Sequence, residues 1–256
     1  MSFLPLERVF FDELAPTPDL DAWPFNLAPI AQLVRDGLEL GALTVLVGEN
    51  GTGKSTLVEA IAMAYGMSPE GGSIGARHST RSSESPLPDV LEIRRGHRAN
   101  RWGFFLRAET MHGFYTYLEE HPDAFGNSGP SFHEMSHGES FIEVLRTRFQ
   151  DPGLYVLDEP ESALSFTGCL SLVGMLANIA EAGDAQAIVA THSPVVAAVP
   201  GARILEVGEW GYREVAWADL ELVQNWKGFL DDPQLYLQYL LGNPLGDPLD
   251  DDLADE

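Results

Sequence analysis

Apolar and polar positions along this chain switch repeatedly between a short and a long period, which separates strands from helices. Residues 42–47, Ala-Leu-Thr-Val-Leu-Val, form a β-rich apolar run between glycines, the pattern of a strand buried on both faces. From Lys54 to Tyr65 the spacing becomes helical, with Leu57, Val58, Ile61 and Ala62 on one side. Residues 66–88 are rich in Gly, Ser and Pro and read as a loop. Strands are predicted near 90–94 and 103–107, a helix near 110–120, and a further helix from about Glu139 to Phe149 with Phe141, Ile142, Val144 and Leu145 as its apolar positions. A second buried strand follows at 153–157, a helix at 166–181 and a third strand at 186–190. Residues 203–207 and 212–216 look like a closing pair of strands, and Ala218–Leu241 reads as amphipathic helix interrupted near Pro233. Strands alternating with helices predict an α/β fold on a mostly parallel sheet.

Two of these strand ends carry chemistry. Gly48-Glu49-Asn50-Gly51-Thr52-Gly53-Lys54-Ser55 satisfies G-x-x-x-x-G-K-[ST], with a strand before it and a helix after it. Glycines let the backbone bend around phosphates, and amides at the helix start face the anion. Lys54 is expected to reach the β- and γ-phosphates, Ser55 to give Mg²⁺ a hydroxyl, and Thr56 to meet the α-phosphate. Leu154-Tyr155-Val156-Leu157-Asp158-Glu159 is an apolar strand ending in two carboxylates. Asp158 suits a hard cation, and Glu159 suits a general base acting on water. ATP and Mg²⁺ are therefore the expected ligands.

Charge narrows the partners. The chain has 15 basic and 39 acidic residues among 256, a net charge of −24, which repels nucleic-acid backbones. Arg94, Arg95, Arg98, Arg101 and Arg107 form the one basic stretch, and a solvated strand with its turn explains them better than a DNA contact. No run approaches the roughly 18 apolar residues of a membrane span. The single cysteine, Cys169, and an N-terminus without signal character predict a cytoplasmic protein. Residues 242–256 carry six acids and two prolines and read as a disordered tail.

On these motifs the chain resembles the ABC-type ATPase superfamily over roughly residues 40 to 207. It is nearer the soluble branch (structural-maintenance-of-chromosomes and RecF-like heads, and small bacterial AAA-family predicted ATPases) than the transporters. Met135-Ser136-His137-Gly138-Glu139 is similar to the family's signature LSGGQ, Ser162-Ala163-Leu164 to its D-loop, and Thr191-His192-Ser193 to its switch histidine. The resemblance implies a P-loop NTPase domain over 1–241 with a smaller helical lobe at about 95–150. It also implies a head-to-tail homodimer in which Ser136, Gly138 and Glu139 of one subunit close over ATP held by the other. His192 would then meet the γ-phosphate or the attacking water, beside Glu159 and Lys54. Departures are His137 in place of a glycine, Ser165 in place of the D-loop aspartate, and no glutamine after the 103–107 strand, where Glu109 is the nearest candidate. For adenine stacking, Phe11, Trp23 and Phe25 are the aromatics to consider.

His133-Glu134-Met135-Ser136-His137 also fits H-E-x-x-H, a zinc pattern when it lies on a helix. Gly129-Pro130 before it and Gly138 after it argue against a continuous helix, so the segment reads as the approach to the signature. The expected function is ATP hydrolysis coupled to an unidentified protein partner. Alternatives are the ATPase subunit of an ABC transporter and a slow ATP-gated dimerisation switch.

Overall fold

In the computed structural model, residues 4–69, 71–73, 85–97, 99–107, 142–143, 145–147 and 149–241 are described. A seven-stranded sheet forms the centre. In chain order its strands are β3 (Leu43–Val47), β4 (Gly72–Ser73), β6 (Gly103–Arg107), β7 (Leu154–Asp158), β8 (Gln186–Thr191), β9 (Arg203–Gly208) and β10 (Gly211–Glu214). Across the sheet the order is β10-β9-β3-β8-β7-β6-β4. The five strands from β9 to β6 run parallel, and the two edge strands run antiparallel. The mixed edges are a detail that the expectation of a mostly parallel sheet did not contain.

The strand near 90–94 does not join this sheet. As β5 (Leu91–Arg94) it pairs antiparallel with β1 (Arg8–Phe11), which also pairs with β2 (Leu38–Glu39). Together with helix α1 (Ala28–Asp36) these strands form a layer that the hydropathy pattern of the first 40 residues did not reveal. Helix α2 (Lys54–Tyr65) lies between this layer and the sheet, and Leu57, Val58, Ile61 and Ala62 are buried as predicted.

Alternate residues of the central strands feed two separate cores, as the two-residue period of a strand requires. Leu46, Leu154, Val156, Ile188 and Ala190 pack with α1, α2 and the small sheet. Val45, Tyr155, Leu157, Ala187 and Val189 pack on the other face, against helix α3 (Phe166–Ala182) and Val223 of α4 (Glu221–Asp231). Ser165, the substituted D-loop position, is the N-cap of α3, where its hydroxyl accepts from Gly168 N at 3.2 Å. Helix α5 (Pro233–Leu241) follows the predicted break at Pro233.

Of the helical lobe expected at 95–150, residues 142–143 and 145–147 are helical. The helix expected near 110–120, Glu109, the H-E-x-x-H segment, and Ser136, Gly138 and Glu139 lie outside the described residues, as does the tail. Three arginines of the basic stretch, Arg94, Arg95 and Arg107, have partners on this chain. Arg94 meets Glu7 at 3.3 Å and Glu39 at 3.2 Å, Arg95 stacks over Tyr65 at 3.9 Å, and Arg107 pairs with Glu59 at 2.8 Å.

One buried side chain fastens the N-terminal layer to the sheet. Gln186, fully buried at the start of β8, accepts from Leu6 N at 2.8 Å and donates to Leu6 O at 2.7 Å and Gly41 O at 2.8 Å. An apolar residue there would leave three buried backbone groups without partners, each costing about 1–3 kcal/mol. Gln186→Leu is expected to lower the unfolding free energy by at least about 2 kcal/mol in urea titration; an unchanged midpoint would contradict this role.

Candidate functional site

β3, β8 and β7 are neighbours and are aligned so that Val47 stands opposite Thr191, and Asp158 opposite Ala190. Their carboxyl ends therefore open onto one place. The phosphate loop leaves β3, His192 follows β8, and Asp158 closes β7. Ligands of open α/β sheets bind at such strand ends.

Two glycines of the loop are required by geometry. A Cβ at Gly48 would collide with the carbonyl oxygen of Val207 on β9. Gly53, the N-cap of α2, has φ 95°, a left-handed conformation that disfavours other residues. The carbonyl of Glu49 gathers the loop: it accepts from Thr52 Oγ1 at 2.9 Å and from Lys54 Nζ at 2.7 Å. Lys54 is buried. Burial pushes its pKa down and outweighs the opposing charges of Glu159, Asp158, Glu161 and Glu49. Those four carboxylates place the ammonium in a strongly negative setting.

Ser55 Oγ donates to Asp158 Oδ1 at 3.0 Å across 103 residues of sequence. Two hard oxygen donors from separate elements thus lie side by side, a donor set that fits Mg²⁺ bound largely through water. The other oxygen, Asp158 Oδ2, is 3.6 Å from Arg107 Nε at the end of β6. Sequence reasoning assigned this arginine to a solvated strand and turn and not to the site; its signal was only its position one strand away from the acids.

Glu159 is the one non-glycine residue with positive φ among those described, at φ 50° and ψ 49°. The left-handed turn is held by its N–H donating to Ala190 O at 2.9 Å and by its carbonyl accepting from Ser162 N at 3.1 Å and Ser162 Oγ at 2.9 Å. Such strain gathers at functional positions. The imidazole Nδ1 of His192 is 3.8 Å from Glu159 Oε1 and 3.4 Å from Glu161 Oε1.

With this geometry in place, the comparison with known families is direct. The family described as ABC transporter matches residues 34–162, from α1 through the phosphate loop to the turn after the acids. The chain belongs to the ABC transporter family. Among curated relatives, the zinc import ATP-binding protein ZnuC of Vibrio vulnificus is 29% identical over 160 residues, covering 60% of this chain and 59% of its own length. ZnuC of Vibrio cholerae is 29% identical over 157 residues, covering 59% of this chain and 57% of its own. The chain thus spans a little under three-fifths of the curated relatives it matches. Among solved structures, the SMC head domain of Thermotoga maritima aligns with a TM-score of 0.42 at 16% identity, covering 70% of this chain and 93% of that one. The dimeric ABC transporter cassette MJ0796 aligns at 0.38 and 16%, covering 71% and 88%.

A cavity of about 1120 Å³ opens on the other flank of the phosphate loop. Gly48–Thr52 form one wall, Leu27 and Pro29 another, and Trp210, Trp226, Phe229 and Tyr236 the rest. Glu206 builds that aromatic wall. Its buried carboxylate accepts from Arg213 Nη2 at 2.6 Å and from Glu221 N at 2.7 Å, which ties β9 to β10 and to the start of α4. The aromatics considered from sequence are elsewhere. Phe11 pairs with Leu91 in the small sheet, Phe25 is buried in the first core, and Trp23 is exposed away from the cavity lining. The aromatic wall comes from β9–α5, distant in sequence and offering no motif.

The strained turn gives a measurable expectation. A non-glycine residue in the left-handed region costs roughly 1–2 kcal/mol, so Glu159→Gly is expected to unfold at the same or a higher urea concentration than the parent. A clear loss of stability would show that the turn is unstrained.

Proposed function

We propose that the chain binds ATP and hydrolyses it to ADP and phosphate, working as a head-to-tail homodimer coupled to another protein. The observation that carries this reading is the 3.0 Å hydrogen bond between Ser55 and Asp158, because it sets the phosphate loop, a Mg²⁺-type donor pair and the next carboxylate at one point. The loop amides and Lys54 hold the triphosphate tail. Ser55 and Asp158 would hold Mg²⁺, which when bound would neutralise charge on the phosphate oxygens. Glu159 accepts a proton from the water that attacks the γ-phosphorus as the bond to the β–γ bridging oxygen breaks, leaving ADP. His192 faces the same reaction from β8. Ser136, Gly138 and Glu139 of the second subunit complete the enclosure.

The base belongs in the aromatic cavity. In the order β9-β3-β8-β7, the acids and His192 lie on one side of the loop strand and Trp210 on the other. A nucleotide with its terminal phosphate at the acids runs across the loop and ends against the tryptophans. Asn26, Glu209 and Asn225 also line that cavity and offer hydrogen-bonding partners for a purine edge, while the rings supply stacking faces.

A second reading, the ATPase subunit of a metal importer, is favoured by the match to zinc import ATP-binding proteins. Among the described residues no helix is long and apolar enough to cross a membrane, so none of them supplies the membrane passage that such a reading needs. ATPase activity that persists in the purified chain without membranes separates the two.

Lys54→Ala is expected to abolish ATP binding in calorimetry. Glu159→Gln is expected to keep ATP binding, lose most hydrolysis and accumulate as an ATP-dependent dimer in light scattering. Undiminished affinity in the first variant sinks the nucleotide reading, and a monomeric second variant sinks the dimer. Trp226→Ala is expected to weaken ATP by about 1–3 kcal/mol, the worth of one base–aromatic stack, without changing the affinity for tripolyphosphate. Equal losses for both ligands would remove the base from this cavity.

A further inference from the structure

Glu161 has no part in the mechanism above, yet it is among the most constrained acids of the molecule. It lies in the short turn Pro160–Ala163 after the two strand-end carboxylates and is only 8% exposed. One oxygen, Oε1, accepts from Thr191 Oγ1 at 2.6 Å and from His192 N at 2.7 Å. The same oxygen is 3.4 Å from His192 Nδ1. Neither Glu161 Oε2 nor His192 Nδ1, both shielded from solvent, has a hydrogen-bond partner among the described residues. The exposed part of the His192 side chain, 43% overall, therefore lies away from Nδ1.

Burying a carboxylate is unfavourable unless donors surround it. Here the donors are the last residue of β8 and the first residue after it, so the carboxylate acts as an N–H and O–H acceptor for the segment that carries His192. Among the described residues, Lys54 of α2 and Cys169 of α3 lie within its field. Glu159 stands farther from the imidazole, at 3.8 Å, and is 31% exposed.

We propose that Glu161 is a positioning residue for ATP hydrolysis: it clamps Thr191–His192 and keeps the imidazole proton on Nδ1, so that Nε2 is the nitrogen turned to the reaction. A carboxylate facing one ring nitrogen fixes which nitrogen carries the proton and how the ring is oriented. It also leaves Glu159 uncommitted to His192 and able to accept the proton of water. This inference rests on the reading that His192 takes part in hydrolysis.

The test has two arms. In the first, nitrogen NMR of the wild-type protein, with His192→Asn to assign the signal, is expected to show the neutral His192 ring protonated at Nδ1. Protonation at Nε2 overturns the proposal, and this arm requires neither turnover nor ATP. In the second, Glu161→Ala is expected to lower kcat by about 10-fold or more, the lower bound being the loss seen when a partner orienting a metal-bound histidine is removed, with KM changed less than about twofold. Glu161→Gln keeps an acceptor oxygen and is expected to recover most of that loss. In a His192→Ala background, Glu161→Ala is expected to cost nothing more, because it acts through the ring. A full additional loss in that background, or wild-type kcat in Glu161→Ala, overturns the proposal. If Glu161→Ala does not fold, Thr191→Val, which removes a hydroxyl donor to the carboxylate, gives the same reading in the same His192→Ala cycle. Absence of Lys54-dependent hydrolysis in the parent chain would instead overturn the ATPase reading, with the NMR arm still deciding the place of the proton.

Discussion

Ser55 and Asp158 meet because β3 and β7 are separated by a single strand and end at the same level. Each residue on its own has an ordinary local explanation: a hydroxyl at the start of α2, a carboxylate at the end of a buried strand. Their hydrogen bond at 3.0 Å makes the loop and the acids parts of one site. Every other feature near it is arranged around that point, from the Lys54 ammonium to the Arg107 guanidinium. If the register of β7 shifted by one residue, Asp158 would point to the opposite face of the sheet. The sheet's alignment is therefore the constraint on which the proposed chemistry stands.

The two cores explain why that alignment is rigid. Every residue of β3, β7 and β8 is buried, and successive residues feed opposite layers. A slip would exchange the two apolar sets and move the polar ends with them. Gln186 adds a second kind of fastening, binding the N-terminal layer to the sheet through three hydrogen bonds in a place closed to water. Against this stiff frame, the left-handed backbone at Glu159 can be held in a conformation that an isolated chain would seldom adopt.

The phosphate loop also divides its surroundings. On the β8–β7 side the groups are carboxylates, an imidazole and cations, suited to a reacting phosphate. On the β9 side they are tryptophans, phenylalanine and tyrosine with asparagines and glutamates between them, suited to a flat heterocycle with polar edges. Glu206, a buried acid on β9, links the two strands and the helix that form this second wall. The same residue type thus serves as proton acceptor in the proposed reaction, as a clamp at Glu161 and as a structural joint at Glu206, according to what donates to it.

Much of this was legible in the residues themselves. Local patterns, each complete within a dozen positions, specified the phosphate loop, helix α2, the apolar strand ending at Asp158, and the α/β class, because periodicity and turn chemistry are short-range properties. The family likeness rested on the same segments. The N-terminal layer was not legible: β5 could be read as a strand but not assigned to a second sheet, and β1 and β2, four residues or fewer, become strands only by pairing. The aromatic cavity was equally hidden, since its walls come from residues 26–29, 48–52 and 206–236 and no local rule relates them. Nor could the sequence show that Glu161 meets Thr191 and His192 while Glu159 stands farther from the imidazole, because that depends on a left-handed turn that propensity disfavours. Local chemistry decided what the strand ends carry; long-range pairing, in which the burial of whole faces outweighs the preference of any single residue, decided which of them meet.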